Sequence, residues 1–546
     1  MAARKKTEEV QETQCEIHTK FEAYTGNEPY IFISYSHRDA AVVCPILDAL
    51  YDKKYRLWYD ESCETGNDFR DELRERIMGA EAVLLFVSRW SMASPYCGME
   101  IIVARENKKR IYPIFIEEGV VPPAFAILLA NTHHCTADNM DKLVKTMLRD
   151  LPAAAMDRLT VEGEYLKKCE DNGKTITVDE GITVIGAGAF MRRKQLHHVT
   201  LPSTLQTIEK EGFRGCNNLE EIAIPPRTFR IGDSAFRDCI SMRTLSIEND
   251  VIKIGERAFE NCATLETVKL PEGLTELYGG VFNSCRSLKS IDLPEHLMIL
   301  GESAFSDCTD LERIELPQNL AKIDDLVFNG CGNLRKVVLN DELRKIGKSA
   351  FKNCSALTEI YIPAKVNHIG DAPFRGCESL KSIRVNPKNK HFKSEPTKRD
   401  GNDHVLFNKN KSILIAYPAS SREVQYNIPD SVVTISDWAF CSSKKLNRIT
   451  IPDSVHEIGE GAFSNCTLLD ELEIPDSVVR IDDCVFRNCA SLERVTIPSS
   501  VKELGWGVFD GCEETVTVYC DHGSAVEEYC KRNGIRVARI EERIDE

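Results

Sequence analysis

Two different patterns of apolar positions divide the chain. Up to about residue 152, short apolar runs alternate with segments whose apolar residues recur at helical spacing. The runs are "YIFISYS", "YRLWYD", "EAVLLFVS" and "RIYPIFI", and the helical segments between them are "AAVVCPILDALYDK", "DFRDELRERIMGA" and "YCGMEIIVARENKK". This alternation predicts a parallel sheet with helices on both faces. Such sheets bind ligands at the carboxyl ends of their strands.

The second pattern is a 23-residue repeat. Each copy contains a stretch of the form LxxIxIP, whose aliphatic residues predict a short strand that Pro ends, because Pro has no N–H for a ladder. A single copy cannot bury its apolar face, so stacked copies predict a solenoid of about thirteen coils with a continuous core. The repeat is marked by phenylalanines at Phe190, Phe213, Phe236, Phe259, Phe282, Phe305, Phe328, Phe351 and Phe374, and then at Phe440, Phe463, Phe486 and Phe509.

Two other positions recur with the phenylalanine. Eleven of the 21 cysteines lie three residues after it, and we expect them to form a column of small buried apolar groups. Side chains stacked in parallel do not point at each other, which disfavours disulfides, and no histidine joins the column, which disfavours a metal site. Four residues before the phenylalanine, glycine is common, but Glu209 and Tyr278 also occur. We therefore expect a tight turn there without positive φ.

Departures from the two patterns predict the domain boundaries. The interval between Phe374 and Phe440 is not a multiple of 23 residues, and the β-rich sequence "VLFNKNKSILIAYP" within it predicts an inserted hairpin. The end of the chain predicts a strand and an amphipathic helix that cap the solenoid. The predicted segments are a polar tail (1–27), an α/β domain (28–152), a linker (153–172), the repeats (173–515, with the hairpin at about 386–427) and the cap (516–546).

Composition narrows the classes of partner and location. The net charge of −16 disfavours binding to nucleic acid or to an anionic membrane surface. No apolar run reaches the length of a membrane span, and the N-terminus lacks the apolar region of a secretory signal. We therefore expect a cytoplasmic location.

Four blocks of the α/β region resemble a known domain. "FISYSHRD", "LWYDESCETGNDF", "LLFVSRWSMASPYCGMEI" and "RIYPIFI", in this order, are similar to the TIR domain of the Toll/interleukin-1 receptor type, over about residues 28–152. The resemblance implies a flavodoxin-like fold and one of two activities. Some TIR domains cleave NAD+ between nicotinamide and ribose, with hydrolysis or cyclisation, and others only assemble signalling complexes. The 23-residue units resemble the leucine-rich repeats of the BspA-like family, over about residues 173–515.

The TIR resemblance also implies site residues. Catalytic TIR domains carry a glutamate within S-x-x-C-x-x-E, often with Trp four residues before the glutamate. Ser94, Cys97 and Glu100 match this pattern, and Tyr96 stands in place of the Trp. The resemblance thus implies Glu100 as the catalytic residue, with Ser94, Tyr96 and Cys97 contacting the substrate.

Further residues follow from the same resemblance. Tyr35 and Phe69 are implied to line the nicotinamide–ribose pocket. Glu61, Glu64 and Gly66 correspond to the BB loop of the family, which moves when TIR domains assemble.

One carboxylate is sufficient for this chemistry. A glycosidase needs a second carboxyl group as general acid, but nicotinamide leaves NAD+ as a neutral base and needs no proton. A fixed carboxylate can orient the ribose hydroxyls and stabilise the oxocarbenium charge. NAD+ is then the substrate, and neither a cofactor nor a metal is expected. The alternative for Glu100 is a solvated charge that the helix dipole favours near a helix N-terminus.

Two other motifs carry little weight. "NTHHC", from Asn131 to Cys135, has adjacent histidines that point apart, and no second ligand pair follows for zinc. "KIGKSAF", from Lys345 to Phe351, looks like the end of a phosphate-binding loop but lacks the first glycine of that motif.

The outward strand position of the repeats varies in charge and size, which favours recognition of a protein or a glycan. A spacer without a ligand is the alternative. Two hypotheses for the whole chain remain. The first is an NAD+ hydrolase or cyclase in signalling or defence, which requires TIR–TIR assembly and docks a partner on its repeats. The second is a non-catalytic scaffold that binds other TIR domains through its BB loop.

Overall fold

The chain forms two compact units, Met1–Arg158 and Leu159–Glu546, called here the α/β unit and the solenoid. The computed structural model describes residues 19–26, 29–60, 67–117, 119–121, 135–136, 140–152, 159–170, 173–247, 251–397 and 401–541. Within these ranges, only the backbone is described for residues 67–72, 135–136 and 140–141.

A five-stranded parallel sheet forms the centre of the α/β unit. Its strands lie in the order β2-β1-β3-β4-β5, which is the flavodoxin-like order, and the predicted fold class is confirmed. The strands are β1 (Ile31–Ser34), β2 (Leu57–Trp58), β3 (Ala82–Val87), β4 (Arg110–Phe115) and β5 (Cys135–Thr136).

Five α-helices connect the strands of the described part of this unit. They are α1 (Ala40–Asp52), α2 (Asn67–Gly79), α3 (Arg89–Ala93), α4 (Pro95–Glu106) and α5 (Met140–Asp150), and a 3-10 turn, His37–Asp39, precedes α1. The sequence pattern did not predict α3. Ser94 separates it from α4 because Ser94 has extended backbone angles and Pro95 begins the next helix.

Alternate residues of β1 face opposite sides of the sheet. Ile31, Ile33 and Tyr35 belong to the cluster of buried side chains that includes α1 and α5. Phe32 belongs to the cluster that includes α2 and α4, and its ring stacks on Trp58. Both faces of the sheet are therefore covered by helices, as the alternation of strands and helices predicts.

The predicted polar tail is shorter than 27 residues, because residues 19–26 pack on the α/β unit. The Phe21 ring stacks on Tyr51 with centroids 4.3 Å apart. The Tyr24 N–H donates to the Leu57 carbonyl, at 2.9 Å, and so extends the edge of the sheet beyond β2. The aromatic residues of this segment give it apolar area to bury, which a polar tail lacks.

Most coils of the solenoid contribute strands to two parallel ladders. Partners in adjacent coils are 23 residues apart, as in Glu221↔Thr244 and Thr207↔Arg230. The first ladder contains the predicted strands, whose inward residues are aliphatic. These are Thr175–Thr177, His198–Thr200, Glu221–Ala223, Thr244–Ser246, Thr267–Lys269, Arg313–Glu315, Lys336–Val338, Glu359–Ile362, Ser382–Val385, Gln425–Asn427, Arg448–Thr450, Glu471–Glu473, Arg494–Ile497, Thr517–Cys520 and Arg536–Arg539.

The second ladder was not predicted from sequence. It is made of two-residue strands that each end in an aliphatic residue, and two residues give too little sequence for a period to be recognised. Its strands are Val184–Ile185, Thr207–Ile208, Arg230–Ile231, Lys253–Ile254, Glu276–Leu277, Ile299–Leu300, Lys322–Ile323, Lys345–Ile346, His368–Ile369, Thr434–Ile435, Glu457–Ile458, Arg480–Ile481 and Glu503–Leu504.

The phenylalanines and cysteines form two columns inside the solenoid. From Phe190 to Phe374 the rings of successive coils stack with centroids 4.7 to 5.9 Å apart. The eleven cysteines of the repeat are buried and free, as expected. Each donates its thiol hydrogen to the carbonyl of the phenylalanine in the preceding coil, for example Cys308 to Phe282 at 3.1 Å. The column therefore also supplies partners for buried carbonyl groups.

Each phenylalanine of the repeat is flanked by two residues with left-handed backbone angles. They lie two residues before and two residues after the phenylalanine, as at Arg257 (φ 54°) and Asn261 (φ 59°) around Phe259. The turn position four residues before the phenylalanine has no positive φ, as expected. Glycine at that position serves close approach instead, since a Cβ on Gly301 would lie 2.6 Å from the Gly279 backbone.

The inserted segment is smaller than predicted. Three antiparallel strands, Phe392–Pro396, His404–Asn408 and Ile413–Ala416, interrupt the coils. The last of these already pairs in parallel with Thr434–Ile435. Tyr417 lies 23 residues before Phe440, stacks on its ring at 5.0 Å and occupies the phenylalanine position. The regular coils thus resume before residue 427, which the sequence concealed because Tyr replaces Phe.

The ends of the solenoid are covered by other elements. A hairpin of Leu159–Glu162 and Tyr165–Cys169 pairs with the first coil, so most of the predicted linker at 153–172 belongs to the solenoid. At the other end, helix α6 (Ala525–Arg532) and strand Arg536–Arg539 follow the last coil. Val526 and Cys530 of α6 are buried against it, which is the expected function of a cap.

Candidate functional site

The carboxyl ends of β1, β2 and β3 and the beginning of α4 meet at one edge of the sheet, because parallel strands end on the same side. The residues there are Ser34 at the end of β1, Asp60 after β2 and Ser88 after β3. Glu100 lies in the second turn of α4. This edge contains most of the polar side chains buried in the unit.

Glu100 points into the protein and not into solvent. Its side chain is 8% exposed, and the Ser34 hydroxyl donates a hydrogen bond to its Oε2 atom. Ser34 is 1% exposed and faces α4, on the sheet side opposite to Ile33 and Tyr35. A solvated charge at a helix start, the alternative explanation for Glu100, is therefore not what the structure contains.

Burial raises the pKa of Glu100 to about 8, the Ser34 hydrogen bond opposes this rise, and the charge of Asp60 adds to it. An ordinary glutamate ionises near pH 4.5. At neutral pH the Glu100 carboxyl is thus largely protonated and becomes a carboxylate in the weakly alkaline range. A cation placed beside it favours the carboxylate at lower pH.

Ser94 and Cys97 build the helix that carries Glu100. The Ser94 hydroxyl accepts a hydrogen bond from the Cys97 N–H at 3.4 Å and so caps α4, with Pro95 in the first helical position. Cys97 is 3% exposed, and burial raises the pKa of its thiol to about 12. Residues 94, 97 and 100 are three apart, which places them on neighbouring positions of one helix face.

A second buried carboxyl group lies at the same edge, and sequence analysis missed it. The Ser88 hydroxyl donates to Asp39 Oδ2 at 2.5 Å, and burial raises the pKa of Asp39. Ser88 also caps α3 by accepting hydrogen bonds from the N–H groups of Trp90 and Ser91. Asp39 ends the quoted block "FISYSHRD", but a loop aspartate gives no sequence signal for burial.

Ser34 was missed as well, although its sequence contains a usable signal. It is a polar residue in an apolar strand, at a position that alternation places on the same face as Phe32. A buried polar side chain requires a partner. That partner, Glu100, is 66 residues away in sequence, and only the fold brings the two together.

The structure does not bring Tyr35 together with Glu100. Tyr35 follows Ser34 and therefore faces the other side of the sheet, where it packs in the α1 cluster. Its ring meets His37 edge-on, with centroids 5.5 Å apart. Tyr35 therefore lies on the face of the sheet opposite to Glu100, and its place in the substrate pocket remains a prediction.

The remaining implied residues are only partly described. Tyr96 is half-buried in the first turn of α4. Phe69 lies in α2, but its side chain is outside the described part of the chain. The same holds for all of the implied BB loop, Glu61, Glu64 and Gly66, and for His133 and His134. Among the described residues, no group of three His, Cys, Asp or Glu side chains is arranged to hold a metal ion.

The outward face of the first strand ladder has shallow grooves. One of about 630 Å³ extends over four coils from His198 to Lys269, and its lining includes the small side chains of Ala223 and Ser246. Another, of about 330 Å³, carries Asp292, Arg313 and Glu315. Charges of both signs therefore alternate with small residues along this surface.

Comparison with protein families identifies both units. The model of the BspA type leucine-rich repeat region matches in six copies over residues 161–289, 277–396 and 419–533, which is more than half of the chain. The chain belongs to the BspA type leucine-rich repeat family. The TIR domain model matches residues 31–145, so the parallel α/β unit is a TIR domain and the solenoid consists of BspA type repeats.

Two solved structures of leucine-rich repeat proteins are similar to the chain. A leucine-rich repeat protein from Bacteroides ovatus has 24% identity and a TM-score of 0.43, covering 70% of this chain and 91% of that chain. A leucine rich cell surface protein from Faecalibacterium prausnitzii has 23% identity and a TM-score of 0.44, covering 69% of this chain and 98% of that chain. A search among curated proteins found no match.

Within the described residues, no helix is both long and apolar enough to cross a bilayer.

Proposed function

We propose that the TIR domain cleaves NAD+ between nicotinamide and ribose, by hydrolysis or cyclisation, and that the BspA type repeats dock a partner. The combination of a TIR domain with leucine-rich repeats supports a role in signalling or defence through protein–protein interaction. The cleavage of NAD+ is the finer proposal. We further propose that the protein acts in the cytoplasm, and the free cysteines of its repeats suit a reducing compartment.

One observation supports this proposal more than any other. Glu100 occupies the glutamate position of the S-x-x-C-x-x-E pattern, and its carboxyl group is buried at the carboxyl edge of the sheet. Burying an ionisable group without a charged partner destabilises the fold, and groups with strongly shifted pKa values concentrate at functional sites. No ion pair explains the burial of Glu100 within the described residues, since its hydrogen-bond partner is the neutral Ser34.

The chemistry of NAD+ fits this environment. The nicotinamide ring is cationic in the substrate and neutral after the C1′–N bond breaks, so the bonding electrons leave with the ring and no proton is required. Positive charge develops on the ribose, where an ionised Glu100 stabilises it. A cationic ring near the buried carboxyl group also favours its ionisation. Substrate binding thus converts Glu100 into its active form.

The first test measures NAD+ cleavage. Wild type, Glu100→Gln and Glu106→Gln are compared at high protein concentration with a crowding agent, because TIR–TIR assembly is proposed to be required. Glu106 is the exposed last residue of the same helix and serves as the matched control. We expect kcat to fall about 100- to 1,000-fold for Glu100→Gln and to stay unchanged for Glu106→Gln.

Two other outcomes are informative. Background cleavage by all three proteins contradicts the enzymatic proposal and leaves the scaffold that binds other TIR domains. Equal cleavage by wild type and Glu100→Gln shows that the chemistry lies at another residue.

The pH dependence of kcat/KM gives a second prediction. The active form is the carboxylate, and the Glu100 pKa in the free protein is about 8. We therefore expect kcat/KM to rise with pH and to level off above pH 8, because kcat/KM reports ionisation in the free enzyme. A profile measured from pH 6 to pH 9.5 that is flat, or that falls, contradicts a carboxylate mechanism at Glu100.

The partner of the repeats is proposed to be a protein or a glycan. Support comes from the grooved, charge-varied outward face of the strand ladder. Residues 159–546 form a compact unit and can be used as bait, with the TIR domain as the control. Capture by the TIR domain alone contradicts a docking role for the repeats.

A further inference from the structure

We infer that Ser34 is a positioning residue: its hydroxyl group fixes one oxygen of Glu100, directs the other toward the ligand and sets the protonation equilibrium of the carboxyl group. This inference rests on the proposed function for its catalytic consequence. Its structural part, the control of Glu100 by Ser34, can be tested without any enzymatic activity.

The geometry around the carboxyl group supports the first part. Ser34 holds Oε2, whereas no described residue makes a hydrogen bond to Oε1. Ser34 is itself 1% exposed and lies at the end of a strand, where its backbone is paired with β3. The serine therefore offers a fixed donor, and Oε1 is the oxygen left to contact a ribose hydroxyl.

The charges around Glu100 support the second part. Burial and Asp60 raise its pKa, and Ser34 is the group that lowers it. Cys97 lies on the same helix, and burial raises the pKa of its thiol to about 12, so the thiol is neutral. Asp39, before α1, acts on Cys97 and is held by Ser88.

Among the residues whose side chains the structure describes, the other charged groups on the elements packed against α4 are engaged elsewhere or face solvent. They are Arg74 and Glu75, both exposed on α2, Arg76 over the Trp58 ring, Arg89 paired with Glu117, and Arg110 over the Tyr112 ring. Ser34 is thus the described group through which the fold favours the carboxylate form of Glu100.

The primary experiment measures the unfolding free energy against pH. The contribution of Glu100 is isolated by subtracting the curve of Glu100→Gln, in wild type and in Ser34→Ala. Removing the hydroxyl group removes a donor that favours the carboxylate, so we expect the midpoint of this contribution to move up by about one pH unit. Ser34→Thr keeps the hydroxyl group and should restore the wild-type midpoint.

The controls separate this effect from a general loss of packing. Ser36→Ala is the same change two residues further on, at a serine whose side chain makes no cap hydrogen bond, and should leave the midpoint unchanged. If Ser34→Ala does not fold, Ser34→Cys keeps the shape of the side chain with a weaker donor. Its midpoint should then move in the same direction.

The outcomes for the two proposals are distinct. An unchanged midpoint in Ser34→Ala, or in Ser34→Cys where only that variant folds, overturns the inference even if NAD+ is cleaved. A shifted midpoint in a protein that does not cleave NAD+ contradicts the proposed function and supports the role of Ser34. If both hold, the kcat/KM profile of Ser34→Ala should be displaced to higher pH by the same amount.

Discussion

At the scale of single residues, Glu100 and Ser34 combine burial with an ionisable group. A carboxyl group inside a helix–sheet interface is destabilising when ionised, yet Glu100 is buried there. The hydrogen bond from Ser34 compensates only part of this, because it is one bond from a neutral donor. The position is therefore kept at a cost in stability that depends on pH.

That cost can be measured with Glu100→Gln. Glu100 ionises near pH 4.5 when unfolded and at about pH 8 when folded. Folding thus favours the protonated form, and this contribution is complete below pH 4.5 and lost as pH rises through 8. The difference in unfolding free energy, Glu100→Gln minus wild type, should therefore increase by about 3 kcal/mol between pH 4.5 and pH 7.

Urea denaturation of the two proteins at several pH values measures this difference. Glu106→Gln, which changes an exposed residue of the same helix, should follow the wild-type curve throughout. A difference between Glu100→Gln and wild type that does not change with pH contradicts a raised pKa at Glu100.

The sequence pointed to the residues of the candidate site that lie in one local pattern, but not to those that come from other segments of the chain. Glu100, Ser94 and Cys97 stand in a local pattern, and the structure explains their spacing by one capped helix. Ser34, Asp39 and Ser88 come from other segments, and the contacts that bury them span 49 to 66 residues. Such contacts leave no local periodicity. Tyr35 and Ser34 lie on opposite faces of the sheet, because a one-residue step along a strand reverses the face of the side chain.

At the scale of the coil, the turns around each phenylalanine are the unusual feature. The two residues that flank each phenylalanine of the repeat have left-handed backbone angles, and many of them are not glycine. Left-handed angles destabilise residues that carry a Cβ. The stacked neighbours hold these residues in place, because their N–H groups bond to adjacent coils, as in Arg257 N–H to the Gly279 carbonyl at 2.9 Å.

Arginine-to-glycine changes at two positions should have opposite effects. Arg257 has a φ of 54°, so Arg257→Gly relieves backbone strain and should raise the unfolding free energy by about 0.5 kcal/mol. Arg230 lies in a strand, where Arg230→Gly should lower it by about 1 kcal/mol. Gly280 occupies the position of Arg257 in the next coil and has a φ of 63°. Gly280→Ala should lower the unfolding free energy by about 1 kcal/mol.

Chemical denaturation of the three variants tests this prediction. Destabilisation of similar size by Arg257→Gly and Arg230→Gly would show that side-chain contacts, and not backbone angles, dominate at Arg257.

The period was sufficient to predict the coils, but not their irregularities. The strand with the LxxIxIP pattern is long enough to show alternation, and its inward residues are buried as predicted, for example Ile222 and Leu245. The two-residue strands and the left-handed turns have no such signature. The predicted end of the inserted segment was too late because Tyr417 replaces a phenylalanine of the column. A search for identical residues does not find this replacement.

At the scale of the whole molecule, each unit has a hydrophobic core of its own. The clusters around β1 and β3 contain only residues of the TIR domain. The solenoid has two large clusters, which meet in sequence at the inserted strands. A unit with its own core has the main requirement for independent folding.

Separate cores predict separable unfolding transitions. In calorimetry at pH 8, Glu100→Gln should raise the transition temperature of the TIR domain and leave that of the solenoid unchanged. Phe282→Ala should do the reverse, because it removes a fully buried ring stacked on both neighbours and should cost the solenoid about 3 to 5 kcal/mol. A single transition that both variants displace contradicts independent units.

The regular spacing of partners between coils has an evolutionary consequence. Coils pair with the coil before and the coil after them in the same register. Recombination that duplicates or removes one whole coil therefore leaves each remaining coil with an equivalent hydrogen-bonding partner. The extent of the repeat surface can therefore change in one genetic event, without any compensating substitution. Related genes are expected to differ by whole coils inside the array, while the hairpin and the helix that close its two ends are retained.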